Sequence, residues 1–370
     1  MNTPSPQKGQ KIPATIVTGF LGAGKTTLIR NLLQNANGRK IALIVNEFGD
    51  MCFDGSLVNG CADPDCAAEE VVELTNGCIC CTVADDFLPT MEMLLSRETP
   101  PEHIVIETSG LALPQPLVRA FSWPSVKTKV TVDGVVTVLD AAALAEGRIA
   151  LDEDALEAQR AADEALDHES PVEDLFQDQL RCADLVVLNK ADLVSGDTLK
   201  SVEEKIQADV RSAVHIVSSE KGTLPIEVLL GRQSAAEDDM AARHEHHHHD
   251  HDHDHDHEHE HEHGQEHHHH DHHHHDDFES FVIDVPAFHS LKVVEERVLE
   301  GMALEGVLRI KGTVAIEGKP APAMVQAVGP RVETWFAAGA ESSGRLVVIG
   351  LKGFDLDAIR ALFGSVKAAA

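Results

Sequence analysis

Residues 19–26, Gly-Phe-Leu-Gly-Ala-Gly-Lys-Thr, fit the phosphate-loop pattern G-x-x-x-x-G-K-[ST], and no other feature constrains the fold as tightly. Such a loop works only between a buried strand and a helix, because backbone N–H groups and the helix N-terminus must converge on one anion. The apolar run 15–18 supplies the strand, and residues 25–34 read as the helix. Within this frame Gly19, Gly22, Ala23 and Gly24 present backbone N–H groups to the β-phosphate. Lys25 is expected to reach the β and γ oxygens, and the Thr26 hydroxyl to ligate Mg²⁺.

Two more segments complete a nucleotide pocket. Ile104-Val-Ile-Glu107-Thr-Ser-Gly110 carries an acid at a strand end followed by a glycine. A carboxylate there holds Mg²⁺ through water, and the Gly110 amide can sense a γ-phosphate; the acid is Glu107 rather than Asp. Asn189-Lys190-Ala191-Asp192 follows the apolar strand 185–188, about 165 residues after the phosphate loop. The Asp192 carboxylate can accept from both N1–H and the exocyclic amine of guanine, a donor pair that adenine lacks, so GTP is expected over ATP. Residues 218–221, Ser-Ser-Glu-Lys, complete the base pocket or form an ordinary loop. With no glutamine in an evident water-orienting place, intrinsic turnover is expected to be slow.

Strand-like runs at 15–18, 41–46, 71–74, 104–107, 135–139, 185–189 and 215–218 alternate with helix-like stretches at 25–34, 85–95, 175–181 and 198–208. That alternation predicts an α/β domain with a mostly parallel sheet over residues 1–235. Residues 278–370 predict a smaller α/β domain, with strands at 281–285, 307–310 and 345–350 and helices at 290–300 and 356–363. Between them, residues 236–277 read as a linker. Twenty of the chain's 24 His lie between 244 and 275, mixed with Asp and Glu and with no apolar residue, so the sequence predicts no packed core there. The tract gathers divalent metal through its imidazoles or is a linker that binds metal incidentally.

Asn76-Gly77-Cys78-Ile79-Cys80-Cys81 is a second chemical site. In an extended segment Cys78 and Cys80 share one side and Cys81 takes the other, so at least two thiolates can hold one soft ion such as Zn²⁺ or Co²⁺. Three buried small side chains and a redox dithiol are the alternatives. Cys61 and Cys66 form a further pair, whereas Cys52, Cys182, His103, His168 and His289 carry no signal beyond ordinary packing. Seven Cys in 370 residues, three of them clustered, predict a reducing cytoplasm rather than a secreted disulfide framework. The polar residues 1–13 do not read as a signal peptide, and no apolar run approaches the roughly 20 residues a bilayer demands. With 62 acidic against 30 basic residues, the net charge of −32 repels a phosphate backbone or an anionic leaflet. Nucleic acid and membrane are therefore not expected partners.

Together residues 19–27, 46–50, 76–83, 107–110, 189–192 and 309–312 (Arg-Ile-Lys-Gly) resemble the CobW-type metallochaperone GTPases over nearly the whole chain. In its details, at 59–66, 84–90, 111–121 and 132–140, the likeness is to the cobalamin-biosynthesis members. The resemblance implies a GTPase that binds Co²⁺ through Cys78, Cys80 and Cys81 and delivers it to the cobaltochelatase, with Zn²⁺ delivery as the nearest alternative. It also brings Thr27 into the nucleotide cradle and makes Glu47 and Asp50 either partners of Mg²⁺ or residues that hold its ligands. A metal buffer with a vestigial GTPase is the reading from another class. Whether residues 309–312 meet a partner or fill a strand is left open by the sequence.

Overall fold

The computed structural model describes residues 11–36, 38–46, 71–74, 87–162, 171–211, 214–232, 234–238, 240, 243, 278–329, 331–336 and 344–364. Seven strands among these residues form one sheet: β1 (Ile12–Thr18), β2 (Ile41–Asn46), β3 (Val71–Leu74), β4 (His103–Glu107), β5 (Val130–Asp140), β6 (Leu185–Asn189) and β7 (His215–Ser219). Their order is β3-β2-β4-β1-β5-β6-β7, and every pairing is parallel. All seven expected runs are strands. β4 and β6 are buried at every position, and their near-continuous Ile, Val and Leu content is what a sheet covered on both faces requires.

Because all seven strands are parallel, their C-terminal ends share one edge, where crossover loops gather. β1 lies in the middle, with β4 on one side and β5 on the other. The loop after β1 therefore opens between the ends of β4 and β5. The helix Lys25–Gln34 packs back on the sheet through Leu28, Ile29 and Leu32, a one-turn spacing that places them on one face. On the opposite face, the helices Leu88–Leu95 and Pro114–Ala120 bury Met91, Leu94, Leu117 and Val118.

A second sheet of five antiparallel strands follows: β8 (Phe278–Asp284), β9 (Val307–Val314), β10 (Ala323–Val328), β11 (Arg331–Phe336) and β12 (Arg345–Leu351), ordered β11-β10-β9-β12-β8. The hairpin of β10 and β11 was not expected from the sequence. Its buried positions on β10 include Ala323 and Ala327, too small to mark a strand by hydrophobic alternation. The helices Leu291–Met302 and Leu356–Gly364 cover one face through Val294, Val298, Ile359 and Phe363.

The other face rests on the first domain, where Leu308 and Ile349 join a cluster containing Leu28, Leu229 and Leu230. Arg309 crosses the same boundary. Its Nη1 donates to the carbonyls of Leu230 (2.8 Å) and Glu227 (3.2 Å), and Gln326 Nε2 donates to the Gly231 carbonyl (3.2 Å). Burial brings the Arg309 guanidinium down to about 10. Gly231 has φ +75°, and a Cβ there would lie 2.7 Å from Arg309 Nη2, so the crossing demands glycine. The first residue of the 309–312 motif is thus an interdomain contact. Among the described residues no helix is long and apolar enough to cross a membrane.

Candidate nucleotide site and the cysteine segment

The loop after β1 has the geometry of an anion cradle. Gly24 takes φ +102°, and a Cβ there would lie 2.2 Å from Asn189 Nδ2, so any side chain would break both the loop and its contact with β6. Lys25 is buried, with its Nζ donating to the carbonyls of Gly19 (2.7 Å) and Phe20 (3.3 Å). This curls the loop over the ammonium, and burial lowers the Lys25 pKa while the nearby Glu107 opposes the shift. Gly22 and Leu21 face solvent, whereas Ala23 is buried.

Thr26, at the second helical position, donates its hydroxyl to Glu107 Oε1 at 2.8 Å. Glu107 is the last residue of β4 and is 6% exposed; its Oε2 is buried and has no hydrogen-bond partner. Burial pushes this carboxyl above the usual range, with Lys25 and the Thr26 hydrogen bond pulling the other way. A hydroxyl and a carboxylate with an unused buried oxygen, beside a cradle for phosphate, are the hard oxygen donors that Mg²⁺ takes. The residues therefore fit the ion expected of them. The turn after Glu107, which carries Gly110, is buried; Thr108 N donates to the Val17 carbonyl and the Thr108 hydroxyl to Thr18 Oγ1.

The far side of the pocket is organised by Asn189, which is 2% exposed. Its Nδ2 donates to the Ala23 carbonyl (2.8 Å) and its Oδ1 accepts from Gly222 N (2.9 Å), tying the phosphate loop to the turn after β7. Ser218 and Ser219 close β7, and residues 220–221 lead into the turn that carries Gly222. Lys190 takes φ +62° and places its Nζ 2.5 Å from Asp140 Oδ2. Asp140 ends β5, and its Oδ1 accepts from Ala142 N and Ala143 N at the start of the helix Ala141–Ala145. Asp192 is exposed in the turn Ala191–Leu193, free to meet a base edge from solvent. Sequence reasoning missed Asp140, although it directly follows an expected strand. Thr27 lies on the helix, half-buried, next to Thr26.

Cys78, Cys80, Cys81, Cys61, Cys66, Glu47 and Asp50 lie outside the described residues, as does the tract 244–275. The strands that lead into those segments are described. Val45 of β2 pairs with Glu107 of β4, so the C-terminal ends of the two strands lie side by side. β3 pairs with β2 and ends at the same edge. Among the described residues no three His, Cys, Asp or Glu side chains converge as a metal site. Cys182 is free and buried, with its thiol pushed up to about 12 by burial, consistent with simple packing.

The family model of the CobW/HypB/UreG nucleotide-binding domain matches residues 13–218, and that of the cobalamin synthesis protein CobW C-terminal domain matches residues 278–367. The chain belongs to the CobW family. Among curated CobW relatives, a zinc chaperone CobW of Sinorhizobium is 48% identical over 355 residues, covering 95% of this chain and 96% of the relative. A zinc chaperone CobW of Pseudomonas aeruginosa is 46% identical over 352 residues, covering 92% and 88%. The crystal structure of the Zn(II)-bound YjiA GTPase of Escherichia coli aligns over 97% of this chain and all of that one, at 22% identity and a TM-score of 0.41.

Proposed function

We propose that this CobW-family chain is a GTP-hydrolysing metallochaperone in which the nucleotide sets how tightly a thiolate-bound metal is held. The observation that carries the nucleotide half is the Thr26–Glu107 hydrogen bond beside buried Lys25, with Glu107 Oε2 unpartnered. Thr26 and Glu107 would hold Mg²⁺, which when bound neutralises charge on the phosphate oxygens. Lys25 offers its ammonium to the β and γ oxygens in exchange for the loop carbonyls it now binds. Asp192 and Asn189 fix the guanine side. In hydrolysis a water oxygen bonds to the γ-phosphorus as the bridging β–γ oxygen leaves with GDP. The outgoing charge falls where Lys25 and the loop N–H groups point.

The metal half rests on Cys78, Cys80 and Cys81 and on the relatives. Both long relatives are named zinc chaperones, and soft thiolates place Zn²⁺ above Co²⁺ in affinity, so Zn²⁺ is the cargo proposed. Delivery of Co²⁺ to cobaltochelatase subunits is the second reading, favoured by the motif likeness at 59–66 and 111–121. Either way, β3, the described strand that precedes the cysteines in the chain, ends at the same sheet edge as β2 and β4. By linkage, GTP must tighten metal by the same factor that metal tightens GTP.

Phosphate release from GTP and from ATP, measured on the wild-type chain and on Lys25→Ala, tests the nucleotide half. Slow, Mg²⁺-dependent release from GTP that disappears in the variant is expected. Release from ATP at the same rate, or release unaffected by Lys25→Ala, would overturn it.

A further inference from the structure

The helix Val172–Cys182 buries a glutamine where an apolar side chain would serve the core equally well. Gln179 is 0% exposed. Its Nε2 donates to the carbonyls of Gly110 (3.0 Å) and Ala112 (3.1 Å), and its own backbone carbonyl accepts from the Thr137 hydroxyl at 3.2 Å. Its side-chain oxygen is buried and unpartnered, a standing desolvation cost. Such a cost is retained where the amide's other half does something an apolar side chain cannot.

What it does is hold one turn. Gly110 and Ala112 belong to the turn that follows Glu107, the carboxylate bonded to Thr26. The near end of this turn is tied to β1 by Thr108 N on the Val17 carbonyl and by the Thr108–Thr18 hydroxyl contact. Its far end is gripped by Gln179 at two carbonyls. The turn is thus stretched between the strand that carries the phosphate loop and a helix that runs directly into β6, the strand of Asn189.

We infer that Gln179 is a positioning residue for the third phosphate, presetting the backbone of Gly110 beside the Thr26–Glu107 pair. The inference rests on the nucleotide reading above. Gln179 acts through the Gly110 backbone and touches none of the phosphate-loop side chains. GDP, which ends at the β-phosphate inside the loop, does not need the turn; GTP does.

The test compares the full-length chain with Gln179→Leu and Gln179→Met, measuring affinity with Mg²⁺ for a non-hydrolysable GTP analogue and for GDP, alongside thermal melting. Gln115→Leu is the matched control. Gln115 is also buried, on the adjacent helix, donates to the Asp178 carbonyl at 3.0 Å, and has an unpartnered oxygen, yet it does not grip the turn. Loss of the two carbonyl contacts should weaken the analogue about tenfold while GDP stays within about twofold. Gln115→Leu should lower melting but leave the analogue-to-GDP ratio unchanged. An unchanged ratio in the Gln179 variants, or an equal shift in Gln115→Leu, overturns the inference. If the Leu variant fails to fold, the longer and more flexible Met carries the comparison. A wild-type chain that binds neither nucleotide removes the nucleotide reading and this inference with it.

Discussion

Glu107 is the residue on which the proposed nucleotide chemistry turns, and its burial is costly to the nucleotide-free fold. Burial raises its pKa, so the folded chain binds that proton more readily than the unfolded one. Its contribution to stability is therefore whole below the ordinary carboxylate range and is lost as pH rises through the raised folded value. Glu107→Gln should accordingly raise the melting temperature of the nucleotide-free chain at neutral pH. The same change should cut Mg²⁺-dependent GTP hydrolysis by about a hundredfold or more, because the carboxylate ligand is gone. His215 has the opposite sign. Burial holds it down to about 4, against 6.5 for an ordinary His. It stays neutral in the fold while the unfolded chain takes up a proton, so its stability is present above 6.5 and is lost as pH falls toward 4. Urea unfolding of His215→Gln against wild type between pH 7 and pH 4 should show a shallower acid loss, by on the order of 2–3 kcal/mol.

Among elements, the strand ends do the positioning, and they were the most legible part of the sequence. Apolar Ile, Val and Leu runs marked β4 and β6, and the polar residue that closes each marked the candidate site: Glu107 at the end of β4 and Asn189 at the end of β6. What stayed hidden were residues whose work depends on distant partners. Asp140 reads as an ordinary strand-end acid, yet it caps a helix with one oxygen and holds Lys190 with the other, 50 residues on. Gln179 reads as a polar position on an amphipathic helix, because no local pattern reports two carbonyls 67 and 69 residues away. The helices Pro114–Ala120 and Pro124–Lys127 were also missed, being short and opened by proline rather than by a side-chain cap. Removing the Asp140 carboxylate tests its double role. Asp140→Ala should cost about 1–2 kcal/mol as a lost cap and also weaken guanine nucleotide binding through the freed Lys190. A stability loss with nucleotide affinity unchanged would leave only the cap.

At the scale of the whole molecule, the two sheets are joined through a buried cation. Arg309 reaches from β9 to the carbonyls of Glu227 and Leu230, in the segment that begins at the nucleotide-side turn around Gly222. Arg309→Met leaves both carbonyls without this donor and should cost about 1–3 kcal/mol, read as an earlier melting onset. A Met variant that melts like wild type would show that Leu308 and Ile349 alone hold the domains together. Leu308 and Ile349 of the C-terminal sheet share one buried apolar cluster with Leu28 of the helix that follows the phosphate loop. Under the proposed function, nucleotide state governs a metal held by the cysteines that follow β3 in the chain. The measurement that tests this most directly is Co²⁺ titration of the full-length chain, with Mg²⁺ and either a non-hydrolysable GTP analogue or GDP. Thiolate-to-cobalt absorption separates cysteine ligation from binding by the His-rich tract, and Zn²⁺ competition gives the affinity for the proposed cargo. The account predicts a strong thiolate band, tighter by at least tenfold with the GTP analogue than with GDP and absent in a Cys80→Ser, Cys81→Ser chain. A thiolate band of equal affinity with both nucleotides, or no thiolate band at all, would contradict it.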